Sequence, residues 1–285
     1  MQLALSGTEL ESEEPIDQLL LCATELRISF VELWYPKNTE AEGLEQTLAR
    51  LSDVGIQVAC VSTSSELFRG GGSYQDQLLL LEAIHLAEQF RAPFVNTYFG
   101  QHSVYDDVQA IATYADYLEP CLEQAQLRGV TIVLENEFDA FEVDPLGSDI
   151  SRRPLSLLHL FERVDSPHFR LNFDACNFYC AGVEPYPYSY ELLAPYIAYC
   201  HVKDVSRSDQ APCVVDPMHA WRRYKDHKNE FVMTPLGDGE IPWSALLRRL
   251  HSDGYHGFLT LEPHAAKLQL ARAWEQAAGY VRHLL

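Results

Sequence analysis

Four short runs in the second half of this 285-residue chain each end in a side chain able to ligate a metal. They are TIVLE at Glu135, FRLNFD at Asp174, YIAYCH at His201 and GFLTLE at Glu262. Each run is apolar enough to form a strand buried on both faces, and each stops where the sequence turns polar. Three carboxylates and one imidazole make a hard, oxygen-rich donor set. Such a set suits one divalent ion, Mn2+, Mg2+ or Co2+, and also accommodates Zn2+. Without an ion, three converging carboxylates repel one another and at least one tends to hold a proton. The bland alternative makes each residue an isolated cap or ion-pair member, and four such coincidences at successive strand ends weigh against it.

Side chains of equal parity share a strand face. Val133 therefore points with Glu135, Asn172 with Asp174, Tyr199 and Lys203 with His201, and Thr260 with Glu262. If these faces turn inward, polar groups line one end of an enclosed sheet. Lys203 would then be placed to hydrogen-bond an oxyanion or to form an ion pair within the barrel.

Strand-like and helix-like stretches alternate from end to end. The strands are expected at Gln2–Ser6, Ser29–Trp34, Ile56–Ser62, Phe94–Gly100, Thr131–Asn136, Phe169–Asn177, Tyr196–Lys203 and Gly257–Glu262. Amphipathic helices are expected at Pro15–Leu26, Glu42–Val54, Tyr74–Arg91, Val108–Arg128, Pro154–Val164, Tyr188–Pro195, Pro242–Ser252 and Lys267–Leu285. Gly55, Gly129 and Gly254 mark helix ends, and Pro15, Pro154 and Pro242 mark first turns. Eight such units predict a (β/α)8 TIM barrel forming a single domain over residues 1–285. A doubly wound sheet would carry a glycine fingerprint after the first strand, where this chain has SGTELESEEP. Barrel sites gather at the C-terminal strand ends, which puts the four ligand types on four neighbouring staves. The longest stretch without periodicity, Val205–Glu240, reads as a lid or rim.

Net charge is −20, from 21 Lys+Arg against 41 Asp+Glu. Such a chain repels phosphate backbones, so nucleic acid is not an expected partner. No apolar run reaches the roughly 20 residues that cross a bilayer, so no membrane partner is expected. The N-terminal MQLALSGTELESEEP has no basic flank and reads as a strand rather than a signal peptide. Seven cysteines, an odd number without a CxxC pair, point to a reducing, cytoplasmic setting.

The phrases VELW (31–34), VLEN (133–136), LNFDACN (171–177), HVKD (201–204), PLGDGEIPW (235–243) and GYHGFLTLEPH (254–264) resemble the xylose isomerase-like TIM barrel family. This is the sugar phosphate isomerase/epimerase group, with ketose 3-epimerases, inosose dehydratases and hydroxypyruvate isomerases among its members. The resemblance implies a metal set of Glu135, Asp174, His201 and Glu262, with Glu135 and Glu262 doubling as the acid–base pair. It also implies a substrate-binding role for Arg207, six residues after His201. Two positions depart from the ketose epimerases. Asn177 stands where many have a histidine, and it can hold a hydroxyl but cannot titrate. Phe141 stands where they have a substrate-contacting glutamate.

The implied activity is that of a divalent-metal-dependent isomerase or epimerase of a small sugar or other polyhydroxy carbonyl compound. The α-proton is abstracted and a metal-stabilised enediolate forms. The alternative on the same site is a lyase, dehydrating an inosose or a dehydroshikimate-like acid or opening a keto-glycoside. Weaker candidates for substrate contact are His102 in NTYFGQH and Trp34 with Tyr35 after the second strand. The run RGGGSY (69–74) could approach a phosphate but reads more simply as a turn. His264 lies two residues beyond Glu262, either supporting it or exposed. The same barrel serves abasic-site endonucleases. Their further metal-binding histidines are missing here, where the second and third strands end in Trp34 and Ser62/Ser64. A non-catalytic carbohydrate-binding protein is the remaining reading. The tyrosine-rich VEPYPYSY (183–190) reads either as a pocket wall or as the contact of a homo-oligomer.

Overall fold

Alternating strands and helices wind the chain into a closed barrel of eight parallel strands. The computed structural model describes residues 1–10, 16–39, 43–101, 106–138, 149–208, 221–225 and 229–285. The staves are β1 (Gln2–Ser6), β2 (Phe30–Tyr35), β3 (Gln57–Glu66), β4 (Phe94–Tyr98), β5 (Thr131–Glu135), β6 (Phe169–Asp174), β7 (Ile197–Val202) and β11 (Phe258–Leu261). They close in the order β1-β11-β7-β6-β5-β4-β3-β2. Around them run α1 (Asp17–Glu25), α2 (Leu44–Val54), α3 (Tyr74–Phe90), α4 (Asp107–Arg128), α5 (Pro154–Val164), α8 (Trp243–Ser252) and α9 (Leu270–Leu284). This is the (β/α)8 barrel that the sequence predicts.

Strand alternation divides the core in two. Outward residues such as Ile132 and Leu134 pack under the helices in the larger cluster. Inward residues Ala4, Cys60, Val133, Tyr199 and Phe258 form a small inner cluster, joined by Phe30 and Phe94. Its rings pack edge to face, Phe30 on Phe258 at 5.0 Å and Phe94 on Phe258 at 6.1 Å. Burying each such ring contributes about 1.5–3 kcal/mol. Above it Thr260 Oγ1 donates to the Tyr199 hydroxyl at 2.5 Å, and beyond that level come the polar groups Glu32, Asn96, Glu135, Asn172 and His201, with the rings of Trp34 and Tyr98 higher still at the cavity. The apolar floor is thus sealed, and the polar residues are confined to one end.

Four details differ from the expected elements. β6 stops at Asp174, because the Asp174 carboxylate accepts from Asn177 N at 2.8 Å and caps α6 (Ala175–Cys180). The helix expected at 188–195 is reduced to α7 (Tyr190–Leu193), flanked by proline-containing turns. Pro242 precedes α8 rather than occupying its first turn, while Pro154 opens α5 as expected. Pro15 lies outside the described residues.

The fourth difference is larger. The stretch expected to be an aperiodic rim holds an antiparallel sheet of β8 (Asp204–Arg207), β9 (Arg223–Lys225) and β10 (Glu230–Thr234), in the order β8-β10-β9. Asp204 ties this sheet to the barrel. Its Oδ1 accepts from Val205 N (2.9 Å) and Ile241 N (3.2 Å), and its Oδ2 from Gly237 N (2.9 Å) and Gly239 N (3.2 Å). Gly239 is required there, since a Cβ would lie 2.2 Å from Asp204 Oδ1. Gly237 has φ +95°, and a Cβ on it would meet the Tyr280 ring at 2.2 Å. The HVKD and PLGDG phrases are therefore two halves of one clasp.

Candidate active site and metal centre

Four consecutive staves deliver the four ligand-type side chains. Glu135 ends β5, Asp174 ends β6, His201 lies in β7, and Glu262 follows β11, its N–H bonded to Val202 O at 3.1 Å. Asp174 and His201 are paired in register. One ligand atom from each of the four lies within 4.8 Å of the others, and none of the residues is more than 2 % exposed.

His201 is aimed by a residue on the far side of the barrel. Its Nε2 donates to Glu32 Oε2 at 2.9 Å, and Glu32 Oε1 in turn accepts from Ser6 Oγ at 2.8 Å. That leaves Nδ1 facing the cluster, 3.0 Å from Glu135 Oε1 and 3.4 Å from Glu262 Oε2. It is buried without a hydrogen-bond partner. A carboxylate behind the outer ring nitrogen is the usual support of a metal-binding histidine. The sequence alone does not single out Glu32, although it is the acid in VELW.

The cluster's charge is only partly compensated by the protein. Lys203 Nζ lies 2.7 Å from Glu262 Oε2, 2.8 Å from Asp174 Oδ2 and 3.8 Å from Glu135 Oε1. The contact to Asp174 is off hydrogen-bonding geometry, and Oδ2 lacks a donor. Burial opposes charge on both His201 and Lys203, but the surrounding carboxylates hold both cationic forms well above their ordinary range. Burial likewise raises Glu135 and Glu262, and His201 and Lys203 outweigh it, leaving Glu135 low and Glu262 well below the usual range. Asp174 ends raised, since burial and Glu135 prevail over Lys203. An orphaned imidazole nitrogen, an orphaned carboxylate oxygen and three acids in one buried space fit a divalent cation. The cluster can hold one.

The two glutamates that bracket the cluster have different supports. Three amides hold Glu135: Asn96 Nδ2 (3.0 Å) and Asn172 Nδ2 (3.4 Å) on Oε2, and Asn177 Nδ2 (3.2 Å) on Oε1. Asn177 also donates to Asn136 O at 2.8 Å. Asn136 in turn exchanges bonds with the Asp174 backbone, at 2.8 and 2.9 Å. Glu262 is held by Lys203; His264 Nε2 lies 3.2 Å from it without a hydrogen bond, and His264 Nδ1 meets the Tyr224 hydroxyl.

Above the cluster opens a cavity of about 370 Å³. Asn177, Lys203 and Trp34 line it as the sequence suggests, and so do His264 and Ser64. Arg207 does not. It is exposed in β8, with its backbone N–H on Glu240 Oε1, and Arg222 lines the cavity instead. His102 and Phe141 lie outside the described residues. Arg69–Gly71 is a tight turn leading into the Ser73 cap of α3, so RGGGSY serves as a turn. The described cysteines are buried and unpaired, and no described helix is long and apolar enough to cross a membrane.

The sequence model of the xylose isomerase-like TIM barrel matches residues 23–284. A 3-dehydroshikimate dehydratase from Bacillus anthracis is 23% identical over 243 residues, covering 83% of this chain and 82% of that protein. Among solved structures, a D-psicose 3-epimerase from Clostridium cellulolyticum H10, solved with D-tagatose, superposes with a TM-score of 0.72 at 12% identity. The match covers 100% of this chain and 99% of that one. A xylose isomerase-like TIM barrel protein from Mycobacterium smegmatis, in complex with magnesium, also gives 0.72, at 18% identity over 100% and 95% of the two chains. At these identities the structural likeness is one of fold.

Proposed function

The chain belongs to the xylose isomerase-like TIM barrel family, and we propose that it is a divalent-metal-dependent isomerase or epimerase of a small polyhydroxy carbonyl compound. The observation that carries this reading is the buried convergence of Glu135, Asp174, His201 and Glu262 beneath an open cavity. These four residues would hold the ion, with Mn2+, Mg2+ or Co2+ best matched to the donors and Zn2+ tolerated. When bound, the ion supplies a positive charge that polarises a carbonyl and steadies the negative charge left by deprotonation.

The protein's own groups account for the rest. Glu135 and Glu262 come from the outer two of four adjacent staves, with β6 and β7 between them. Both are held ionised, so either can accept the proton α to the carbonyl. The three amides on Glu135 donate only, and they fix its carboxylate without competing for a proton. Lys203, beside Glu262, is a cationic donor for an oxyanion developing near that carboxylate. Proton removal by one glutamate and return by the other inverts the carbon, which is epimerisation. Return to the neighbouring carbon is isomerisation.

A dehydratase is the second reading. It is favoured by the Bacillus anthracis relative and needs the same first step, followed by loss of a β-hydroxyl. Incubation in D2O with Mn2+ and a panel of ketoses, inososes and 3-dehydroshikimate tests both readings. Deuterium at the α-carbon supports proton transfer, while new enone absorbance from an inosose, or aromatic absorbance replacing the enone of 3-dehydroshikimate, identifies dehydration. Glu135→Gln and Glu262→Gln should each lower exchange by about 10²–10⁴-fold. Exchange undiminished in both variants would falsify the assignment of these glutamates.

A further inference from the structure

Three neighbouring staves form a stretch of cavity wall that proton transfer leaves unused. Trp34 in β2, Thr8 just past β1 and His264 just past β11 line the cavity, and β2, β1 and β11 are adjacent in the closed barrel. Two ring nitrogens of this wall, Trp34 Nε1 and His264 Nε2, are buried with no hydrogen-bond partner among the described residues. An indole N–H can only donate. For His264 the neighbours decide. Its Nε2 lies 3.2 Å from Glu262 Oε2, off hydrogen-bonding geometry, and beside a carboxylate a neutral ring keeps its proton on that nitrogen. Nδ1 is then the acceptor of the Tyr224 hydroxyl. Both ring nitrogens are therefore donors in want of an acceptor, a costly state for a buried group.

Both rings are held where they stand. Trp34 donates its backbone N–H to Asn38 Oδ1 at 2.8 Å, and its ring stacks on Tyr98 at 6.2 Å. His264 sits at φ +45°, a left-handed conformation that costs a residue with a Cβ, and its carbonyl accepts from Arg222 N at 3.0 Å. The charges nearby are answered in pairs. Arg222 meets the buried Glu9 at 2.7 Å, and Lys203 meets Glu262 at 2.7 Å. Neutral donors in such a wall suit uncharged oxygen acceptors.

Building on the metal-dependent carbonyl reading, we propose that Trp34 and His264 determine specificity by donating, through Nε1–H and Nε2–H, to substrate hydroxyls beyond the carbonyl end. The ligand class is then a neutral polyhydroxy carbonyl compound rather than a phosphorylated or deoxygenated one. A site built to hydrogen-bond a hydroxyl rejects the analogue that lacks it, because its own polar groups are left unpaired.

Calorimetric titration of the Mg2+-loaded protein with hydroxyacetone, D-xylulose and D-xylulose 5-phosphate tests this. The first two share an α-hydroxy ketone and differ in the hydroxyls beyond it, and the third adds charge. D-xylulose should bind roughly tenfold or more tightly than hydroxyacetone, and its phosphate no more tightly than D-xylulose. Trp34→Phe keeps a ring and removes the N–H, and His264→Met removes the imidazole donor. Each should cut the preference for D-xylulose over hydroxyacetone about three- to tenfold, with folding checked by thermal melts. The Trp34 indole proton, one of four in the chain and assigned by its loss in Trp34→Phe, should move downfield on adding D-xylulose. No binding by any of the three, equal affinity for the two neutral ketones, a preference for the phosphate, or a D-xylulose preference that either variant leaves intact overturns the proposal. Repeating the titration in chelator separates the two claims: a D-xylulose preference without Mg2+ dependence removes the metal reading and keeps the donor wall.

Discussion

Replacing Glu32 tests whether a carboxylate across the barrel aims His201 at the metal cluster. In Glu32→Leu the Nε2–H of a fully buried imidazole loses its 2.9 Å acceptor, and an unsatisfied buried donor costs about 1–3 kcal/mol. The neutral ring can escape that cost by moving its proton to Nδ1, the atom that faces Glu135 and Glu262. That tautomer presents no lone pair to a metal. Loss of such an outer partner is worth about 10–100-fold in metal affinity, or roughly 1.4–2.7 kcal/mol. Glu32→Gln separates charge from aim. Its carbonyl can accept from His201 while its amide donates to Ser6 Oγ, so the tautomer survives and affinity should fall by no more than about fivefold. Isothermal titration with Mn2+ at one pH ranks the three proteins, and thermal melts in chelator report any loss of fold separately. Mn2+ affinity in the leucine variant within about twofold of the parent protein, against the 10–100-fold of a lost partner, would refute the reasoning.

Metal affinity should rise with pH through and above neutrality. His201 binds its proton well above the ordinary histidine range in the metal-free protein, and that proton must leave before Nδ1 can ligate. The apparent constant should change by about tenfold per pH unit until the folded-state pKa is passed; a profile flat across neutrality in dye competition would count against it. Asp204→Asn leaves two of the four clasped backbone N–H groups facing an amide instead of an oxygen. It should cost about 2–4 kcal/mol by denaturant unfolding, and a variant as stable as the parent would show the clasp to be dispensable. Lys203→Met removes the ammonium that sits among three carboxylates. The melting temperature should drop more in chelator than in excess Mn2+, and equal drops would mean that Lys203 and the ion do not share one role.

What the sequence conveys well is local. A buried strand ending in a ligand-type residue is visible as an apolar run and its last side chain, so the order of the staves carrying Glu135, Asp174, His201 and Glu262 follows from the sequence alone. What it conveys poorly depends on contacts across the barrel. Glu32 meets His201 over 169 residues of chain, and no spacing rule connects them. Asn96 is one polar letter in FVNTY, and its contact with Glu135 appears only when β4 and β5 are paired. The rim escapes a reading by periodicity because its strands are three to five residues long, too short for an alternating pattern to emerge. The same sheet explains Arg207. β8 leads away from the cavity, and the strand pairing that begins beside Trp221 brings Arg222 to the wall in its place.

The four-amide clasp on Asp204 also separates two kinds of change that the rim can undergo. Both ends of the excursion are fastened to one carboxylate, at Val205 on departure and at Gly237, Gly239 and Ile241 on return. Anything between those points can lengthen, shorten or be exchanged without pulling on His201 and Lys203 upstream or on α8 downstream. The rim is in this sense a cassette. Transplanting the segment between residues 206 and 234 from another barrel carrying the same two phrases would leave Glu135, Asp174, His201 and Glu262 on their staves and recast the roof of the cavity, including Arg222 and Tyr224, which meet Glu9 and His264.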